Sequence, residues 1–170
     1  MKNLIIPVFL LFFISCSDIR SGGCIDVAAV NYENWADFDD GSCNYIADVV
    51  FFYDAITANE LNLLGYDRLD YYIEETPGTF IFIDSEYPSN NGFIAAGIPD
   101  CYEDTYVTTP ITWFDNGLTT INYQVYGVNI ISLPNSNVVI EDETLVDEHS
   151  FDLLANECAA AEIMFLLKRK

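Results

Sequence analysis

The feature that most constrains the fold is a series of short apolar segments of strand length, separated by turn residues. Residues 46–53 form a nearly continuous apolar run rich in Val and Phe, which is typical of a central strand. Residues 69–74 alternate between apolar and polar side chains. Further strand candidates are residues 80–83, 106–114, 118–126, 128–133, 138–141 and 151–155. The pattern predicts a mainly β protein built as an antiparallel β-sandwich-like domain.

Two local signals add detail to this prediction. An Asp-Asn-Gly sequence at residues 115–117 separates two strand candidates and favours a tight hairpin turn. Thr57 opens a Thr-Ala-Asn-Glu capping box, and several leucines follow it before Gly65. We therefore predict one short helix that begins at Thr57 and ends at Gly65.

Composition limits the classes of protein to which this chain can belong. Of its 170 residues, 51% are hydrophobic and 15% aromatic, which is enough apolar material to bury a core and excludes intrinsic disorder. Asp and Glu total 27 against 6 Lys and Arg, so the formal net charge is −21. Because phosphate binding requires clustered Lys and Arg, nucleic acid is excluded as a partner.

The N-terminus has the layout of an export signal. Lys2 precedes an apolar run of 11 residues at 4–14, which is shorter than the roughly 20 residues that a membrane-spanning helix needs. The run ends at Ser15-Cys16, and this sequence resembles a bacterial lipobox. The resemblance implies a signal peptide over residues 1–15, a lipidated Cys16 and a tether over residues 16–23. We therefore expect an exported protein, anchored to the cell envelope at either leaflet of the outer membrane.

The five cysteines leave four for pairing once Cys16 carries lipid. Cys24, Cys43, Cys101 and Cys158 allow three pairings, and an oxidising compartment favours disulfides. The chain has no Cys-x-x-Cys motif and one histidine, which disfavours a metal site. We favour Cys24–Cys43, which closes a compact loop, and Cys101–Cys158, which ties the middle of the domain to its last strand.

Residues 24–45 carry the motif C-x-D-x-x-A-x-N-Y, followed by A-x-x-D-D-G-S-C-x-Y. This segment resembles a short cysteine-bounded module common in exported and surface proteins of Bacteroidetes-type bacteria. The matching residues are Cys24, Asp26, Ala29, Asn31, Tyr32, Ala36, Asp39, Asp40, Gly41, Ser42, Cys43 and Tyr45. The resemblance implies export and a Cys24–Cys43 disulfide, and it implies no known activity.

The C-terminal segment is ambiguous by composition. Residues 150–170 suit a helix, whereas residues 162–167 also suit a last strand. The Pro-Asp-Cys turn at 99–101 and the A-N-x-C-x-x-x-E-I pattern at 155–163 are similar to an uncharacterised β-rich domain of flavobacterial lipoproteins. That resemblance also uses the strand near Tyr53 and the helix after it. It implies a domain over residues 46–170 that ends in a strand after Cys158.

Two acidic segments are candidate cation sites. Calcium prefers several oxygen ligands, which Asp37, Asp39 and Asp40 offer, and the first disulfide would bring Asp26 and Asn31 close to them. The alternative is an acidic turn closed by the disulfide, because the Gly and Glu spacing of an EF-hand is missing. The second segment could coordinate a cation but is more typical of a solvated loop; its acids are Glu141, Asp142, Glu143, Asp147 and Glu148.

The sequence predicts no catalytic residue. His149 lies beside Glu148 and Ser150, but adjacent residues of a strand point to opposite faces, and no G-x-S-x-G motif is present. Aromatic residues are abundant, and Tyr71 and Tyr72 must lie on opposite faces of their strand. Most aromatic rings are expected in the core, and some must be exposed or at an interface.

These observations favour a lipid-anchored cell-envelope protein that acts as a non-catalytic binding or structural module. A carboxylate-dependent extracytoplasmic hydrolase is one alternative, and it would need two acids converging in a pocket, one with a strongly raised pKa. A calcium-dependent adhesion module is another. The expected partners are the membrane, through the lipid, and a protein or glycan ligand.

Overall fold

The computed structural model describes residues 20–87, 97–103, 105–132 and 139–164. The predicted fold class is confirmed, since the described part is mainly β with one short helix. The elements are β1 (Gly22–Gly23), β2 (Phe38–Asp39), β3 (Asn44–Phe52), α1 (Ala55–Leu64), β4 (Arg68–Thr76), β5 (Thr79–Glu86), β6 (Val107–Phe114), β7 (Leu118–Ser132), β8 (Val139–Leu154) and β9 (Cys158–Glu162).

Two larger sheets form the body of the domain. One has the strand order β6-β3-β9, and the other has the order β5-β4-β7-β8. The pairs are antiparallel except that β9 runs parallel to β3. A small parallel pair, β1 with β2, belongs to the N-terminal segment. A strand does follow the Cys158 position, but β9 ends at Glu162, where the predicted segment 162–167 begins; residues 163 and 164 are not strand, and residues 165–167 lie outside the described ranges.

The core lies between the two larger sheets. Phe51 of β3 contacts Tyr71 of β4 and Tyr123 of β7, with ring centroids 5.3 and 5.4 Å apart. Val49 and Val125 are fully buried beside them. Every second residue of these strands points inward, so one strand from each sheet supplies rings that interdigitate.

The helix begins earlier than the capping box predicts. Its N-cap is Asp54, whose Oδ1 accepts a hydrogen bond from the Thr57 backbone at 2.7 Å. The carboxylate is a strong cap, so Thr57 lies inside the first turn and is buried. The predicted end is confirmed, because Gly65 takes the left-handed conformation, with φ 69°, and caps the C-terminus.

The hairpin prediction at residues 115–117 is wrong. The strand before the turn, β6, pairs with β3, whereas the strand after it, β7, pairs with β4 and β8, so the turn connects the two sheets. Trp113 Nε1 donates to the Asn116 carbonyl at 2.6 Å, and the Gly117 carbonyl accepts from Ala155 N at 2.9 Å. These contacts direct the chain across the end of the core into the second sheet, so β7 does not fold back against β6.

Two strands are much longer than their apolar patterns indicate. β7 spans the predicted segments 118–126 and 128–133 as far as Ser132, and β8 spans the predicted segments 138–141 and 151–155 from Val139 to Leu154. The acidic segment expected as a solvated loop lies within β8, because β7 supplies a continuous partner over 15 residue pairs. A bulge opposite Val125 and Tyr126 turns both Val146 and Asp147 toward the interior.

Both expected disulfides are present. Cys24–Cys43 spans 19 positions and Cys101–Cys158 spans 57. The first lies in the core cluster, and the Tyr45 hydroxyl donates to Asp26 Oδ2 at 2.8 Å next to it. The N-terminal segment thus packs directly on β3, and the expected boundary after residue 45 falls inside that strand.

Gly127 of β7 accommodates an aromatic ring. A Cβ atom at this position would lie 2.6 Å from the ring of Tyr66. We therefore expect Gly127→Ala to lower the free energy of unfolding by about 1–3 kcal/mol, measured by urea denaturation, because the ring must move. Gly97→Ala is the control, since a Cβ there meets open space. Equal stability of the two variants would contradict the expectation.

Candidate binding face on the four-stranded sheet

The outer face of the four-stranded sheet carries a row of partly exposed aromatic rings. Strand alternation places Tyr71 in the core and Tyr72 outward, as expected from the sequence. The Tyr72 ring contacts Phe82 of β5 and Tyr126 of β7, with centroids 5.7 and 5.5 Å apart and edge-to-face geometry. Phe82 is 54% exposed. We call these three residues, with Phe80 on the next row of β5, the aromatic face.

Hydrogen-bonded polar side chains border the aromatic face. The Tyr126 hydroxyl donates to Gln124 Oε1 at 3.1 Å, and Gln124 Nε2 donates to Glu148 Oε1 at 3.0 Å. Asn122 donates to Glu74 in the next row. The Gly78 backbone N–H and the Asn122 amide lower the pKa of Glu74. A shallow depression of about 610 Å³ opens here; it is lined by Glu74, Gly78, Phe80, Asn122, Glu148, His149 and Ser150.

Arg68 of β4 is held by two carboxylates at one end of this face. Its Nε lies 2.8 Å from Asp70 Oδ1, and its Nη2 lies 2.9 Å from Glu141 Oε2. Ser85 Oγ also donates to Asp70 at 2.6 Å. These hydrogen bonds raise the pKa of Arg68. The positive charge is already compensated, so the face as a whole is acidic and aromatic.

A carboxyl group that the sequence did not single out is buried between the two sheets. Glu86, at the end of β5, is 1% exposed and accepts hydrogen bonds from the hydroxyls of Tyr53 and Tyr71. Burial raises the pKa of Glu86 to about 7, although both hydroxyls favour its charged form. The partners of Glu86 are thus two tyrosines, with no second carboxylate among its hydrogen-bonded groups.

His149 does not form a catalytic pair with Ser150. In the ladder His149 lies opposite Tyr123 and Ser150 lies opposite Asn122, so the two side chains leave β8 on opposite faces, although both residues border the depression at this edge of the sheet. His149 Nε2 is 3.2 Å from Asp147 Oδ1 but is not aligned for a hydrogen bond. Asp147 instead accepts from the Tyr123 hydroxyl and from Met164 N, at 3.1 and 3.2 Å.

The residues of the candidate calcium loop bind backbone groups. Asp39 and Asp40 accept from the amides two positions ahead, at 2.9 and 3.0 Å, and Asp37 accepts from Ser21 N at 3.1 Å. The two carboxylate oxygens of Asp26 accept hydrogen bonds from Ala28 N and from the Tyr45 hydroxyl. The side chain of Asn31 is bonded to the backbone on either side of Cys43: its Nδ2 donates to Ser42 O, and its Oδ1 accepts from Asn44 N.

No cluster of three or more His, Cys, Asp or Glu side chains suited to a metal occurs in the described ranges. This holds for the loop and for the acidic segment of β8, whose side chains alternate between two faces. The turn-forming hydrogen bonds account for the Asp and Asn residues of the loop without a cation. Calcium binding by Asp26, Asn31, Asp37, Asp39 and Asp40 therefore stays a prediction from the sequence.

The melting temperature, measured with and without calcium, tests that prediction. If the loop binds Ca²⁺ at an affinity of about 10⁻⁴–10⁻³ M, saturating Ca²⁺ raises the melting temperature more than Mg²⁺ does. Replacing Asp39 and Asp40 with Asn abolishes the difference. Equal shifts with Ca²⁺, Mg²⁺ and matched NaCl in both proteins would instead indicate screening of an acidic surface.

Cys16 and the signal peptide lie outside the described residues, so lipidation rests on the sequence. Within the described ranges, no helix has the length and apolar character needed to cross a membrane. No protein family model matches the chain, and no curated protein and no solved structure is significantly similar to it.

Proposed function

We propose that this chain is a lipid-anchored cell-envelope protein that acts as a non-catalytic binding module and contacts its ligand through the aromatic face. The observation that carries the proposal is the row formed by the exposed Phe82 and the half-buried Tyr72 and Tyr126 on the outside of the sheet. Rings on the outside of a sheet do not serve the core. They offer flat apolar area beside hydroxyl, amide and carboxylate groups, which is the composition of a binding surface.

The buried carboxyl supports a binding role over the hydrolase alternative. A carboxylate-dependent hydrolase needs a second acid facing the one with the raised pKa. Glu86 has the raised pKa, but its oxygens bind the hydroxyls of Tyr53 and Tyr71 and it is almost wholly excluded from solvent. Its raised pKa thus has a cause in packing.

Anchoring is tested by replacing the lipidation residue. Cys16→Ala is expected to move the protein from the membrane fraction to the soluble fraction, and metabolic labelling with palmitate should fail in the variant. Cys16→Ala protein that stays with membranes after a carbonate wash would contradict lipid anchoring.

Binding is tested with a matched pair of exposed phenylalanines. Phe82→Ser removes a ring of the aromatic face, whereas Phe114→Ser removes a 65% exposed ring on the other sheet. Both proteins and the wild type are assayed against arrays of glycans and of peptides. We expect a ligand whose affinity falls at least about fivefold with Phe82→Ser and is unchanged with Phe114→Ser, because a stacked ring contributes about 1 kcal/mol. Equal binding by both variants would refute the assignment of the face.

A further inference from the structure

One side of the long strand β8 has no strand partner among the residues that the structure describes. β8 covers 16 residues at the edge of its sheet, and β7 is its one strand partner within the described part of the chain. An edge strand directs alternate N–H and C=O groups outward, where they can pair with another extended chain. Most residues of β8 are exposed. Apart from Glu148 N, which donates to Asp147 Oδ1 at 3.0 Å, the outward backbone groups of β8 have no strand to pair with among the described residues.

The other sheet edges are shorter or protected. β5 and β6 have eight residues each and β9 has five. β6 also contains Pro110, which lacks the N–H needed for pairing. β8 has no proline. Its protection against unwanted pairing must come from its side chains.

Those side chains carry charge of one sign. The strand has no Lys or Arg. Its acidic residues are Glu141, Asp142, Glu143, Asp147, Glu148 and Asp152. If two copies of this protein paired through β8, carboxylates would face carboxylates, which destabilises cross-strand pairs. The same charges favour an incoming strand that is basic.

Three of the acids lie on the outer face of β8 and have no cationic partner within the part of the chain that the structure describes. Glu148 binds the amide of Gln124, and Asp152 accepts from the Thr120 hydroxyl. Glu143 lies opposite Val128 in the ladder. Arg68 compensates Glu141, and Asp147 is buried, so neither contributes to this set.

We propose that β8 binds an extended segment of a basic polypeptide as an added strand, with Lys or Arg side chains beside Glu143, Glu148 and Asp152. Backbone hydrogen bonds hold the segment, and alternate side chains determine which partner fits. Neighbouring strands place alternate side chains on the same face, so the partner has a basic residue at every second position. This proposal does not depend on the aromatic face.

Synthetic peptides test the proposal with the full-length protein at physiological salt. The probe is a ten-residue peptide that alternates Lys and Thr. One control replaces each Lys with Glu, and another replaces every second Thr with Pro, which keeps the charge but prevents strand pairing. We expect the Lys–Thr peptide to bind at least tenfold more tightly than both controls. Hydrogen exchange should show new amide protection in β8 and none in β5.

Charge reversal supplies the matched variants. Glu143→Lys with Asp152→Lys should lower the affinity for the Lys–Thr peptide at least tenfold and raise the affinity for the Glu–Thr peptide. Glu75→Lys with Glu157→Lys makes the same change in net charge at exposed positions outside β8 and should leave the affinity unaltered. Equal binding of the Lys–Thr and Pro-containing peptides, protection in another strand, or no binding would each overturn the proposal.

Discussion

Glu86→Gln is expected to make the protein more stable than the wild type at pH 8, by up to about 3 kcal/mol. In the wild type the buried carboxyl has its pKa raised to about 7 by burial, against 4.5 for a solvated Glu. Above pH 7 the folded protein must hold a charge between Tyr53 and Tyr71, at a cost that the unfolded chain does not have. Gln is neutral at every pH and can still accept from one hydroxyl while it donates to the other.

The pH dependence has a definite sign. Between pH 4.5 and about 7 the folded state keeps a proton on Glu86 that the unfolded state has lost, so the free energy of unfolding falls as the pH rises. This contribution is fully present below pH 4.5 and is lost above pH 7. The difference between Glu86→Gln and the wild type should therefore be small at pH 4.5 and largest at pH 8.

Urea denaturation across this pH range measures the effect. The acidic surface of the chain also loses charge as the pH falls, so the informative quantity is the difference between the two proteins. Glu75→Gln, at an exposed position of β4, is the control and should follow the wild-type profile. A constant difference between Glu86→Gln and the wild type from pH 4.5 to pH 8 would contradict a protonated buried carboxyl.

Replacing Cys101 and Cys158 with Ser is expected to lower the free energy of unfolding by about 4 kcal/mol. The disulfide closes a loop of 57 positions and joins the segment before β6 to the start of β9. Without it the unfolded chain gains conformational freedom, and the five-residue edge strand β9 is then held by its parallel pairing with β3. In a domain of this size, the melting temperature should fall by roughly 8–16 °C.

The other disulfide provides the comparison. Cys24→Ser with Cys43→Ser opens a loop of 19 positions, for which the same entropy argument gives about 3 kcal/mol. Calorimetry of both double variants under non-reducing conditions tests the order of the two effects. An unchanged melting temperature in Cys101→Ser with Cys158→Ser would show that loop closure does not stabilise this domain.

The fold class and the restraints on it followed from the sequence. Strand segments are encoded locally, by apolar runs and by alternation, so β3 and β4 were predictable from residues 46–53 and 69–74. Gly65 marked the end of the helix because few other residues adopt a left-handed conformation easily. The pairing of cysteines also agreed with the structure.

The candidate sites were less predictable, because they depend on neighbours distant in sequence. Phe82 and Tyr126 are ordinary strand residues until β4 places Tyr72 between their rings. By sequence alone Glu86 cannot be told from an exposed acid. Its burial depends on the packing of the two sheets, which brings the hydroxyls of Tyr53 and Tyr71 to its carboxyl group. The abundance of tyrosine was the one available signal.

The sequence by itself determined a β-rich, disulfide-linked and strongly acidic domain, because strand propensity, cysteine number and charge are properties of the chain. Only the tertiary structure decided which strands share a sheet. The Asp-Asn-Gly turn joins two sheets because Trp113 Nε1 and Ala155 N donate hydrogen bonds to its carbonyl groups. The bond from Ala155 comes from a residue distant in sequence, so no local pattern predicts it. The acidic stretch of β8 is a strand because β7 pairs with it throughout, so backbone hydrogen bonds outweigh the preference of charged residues for a loop.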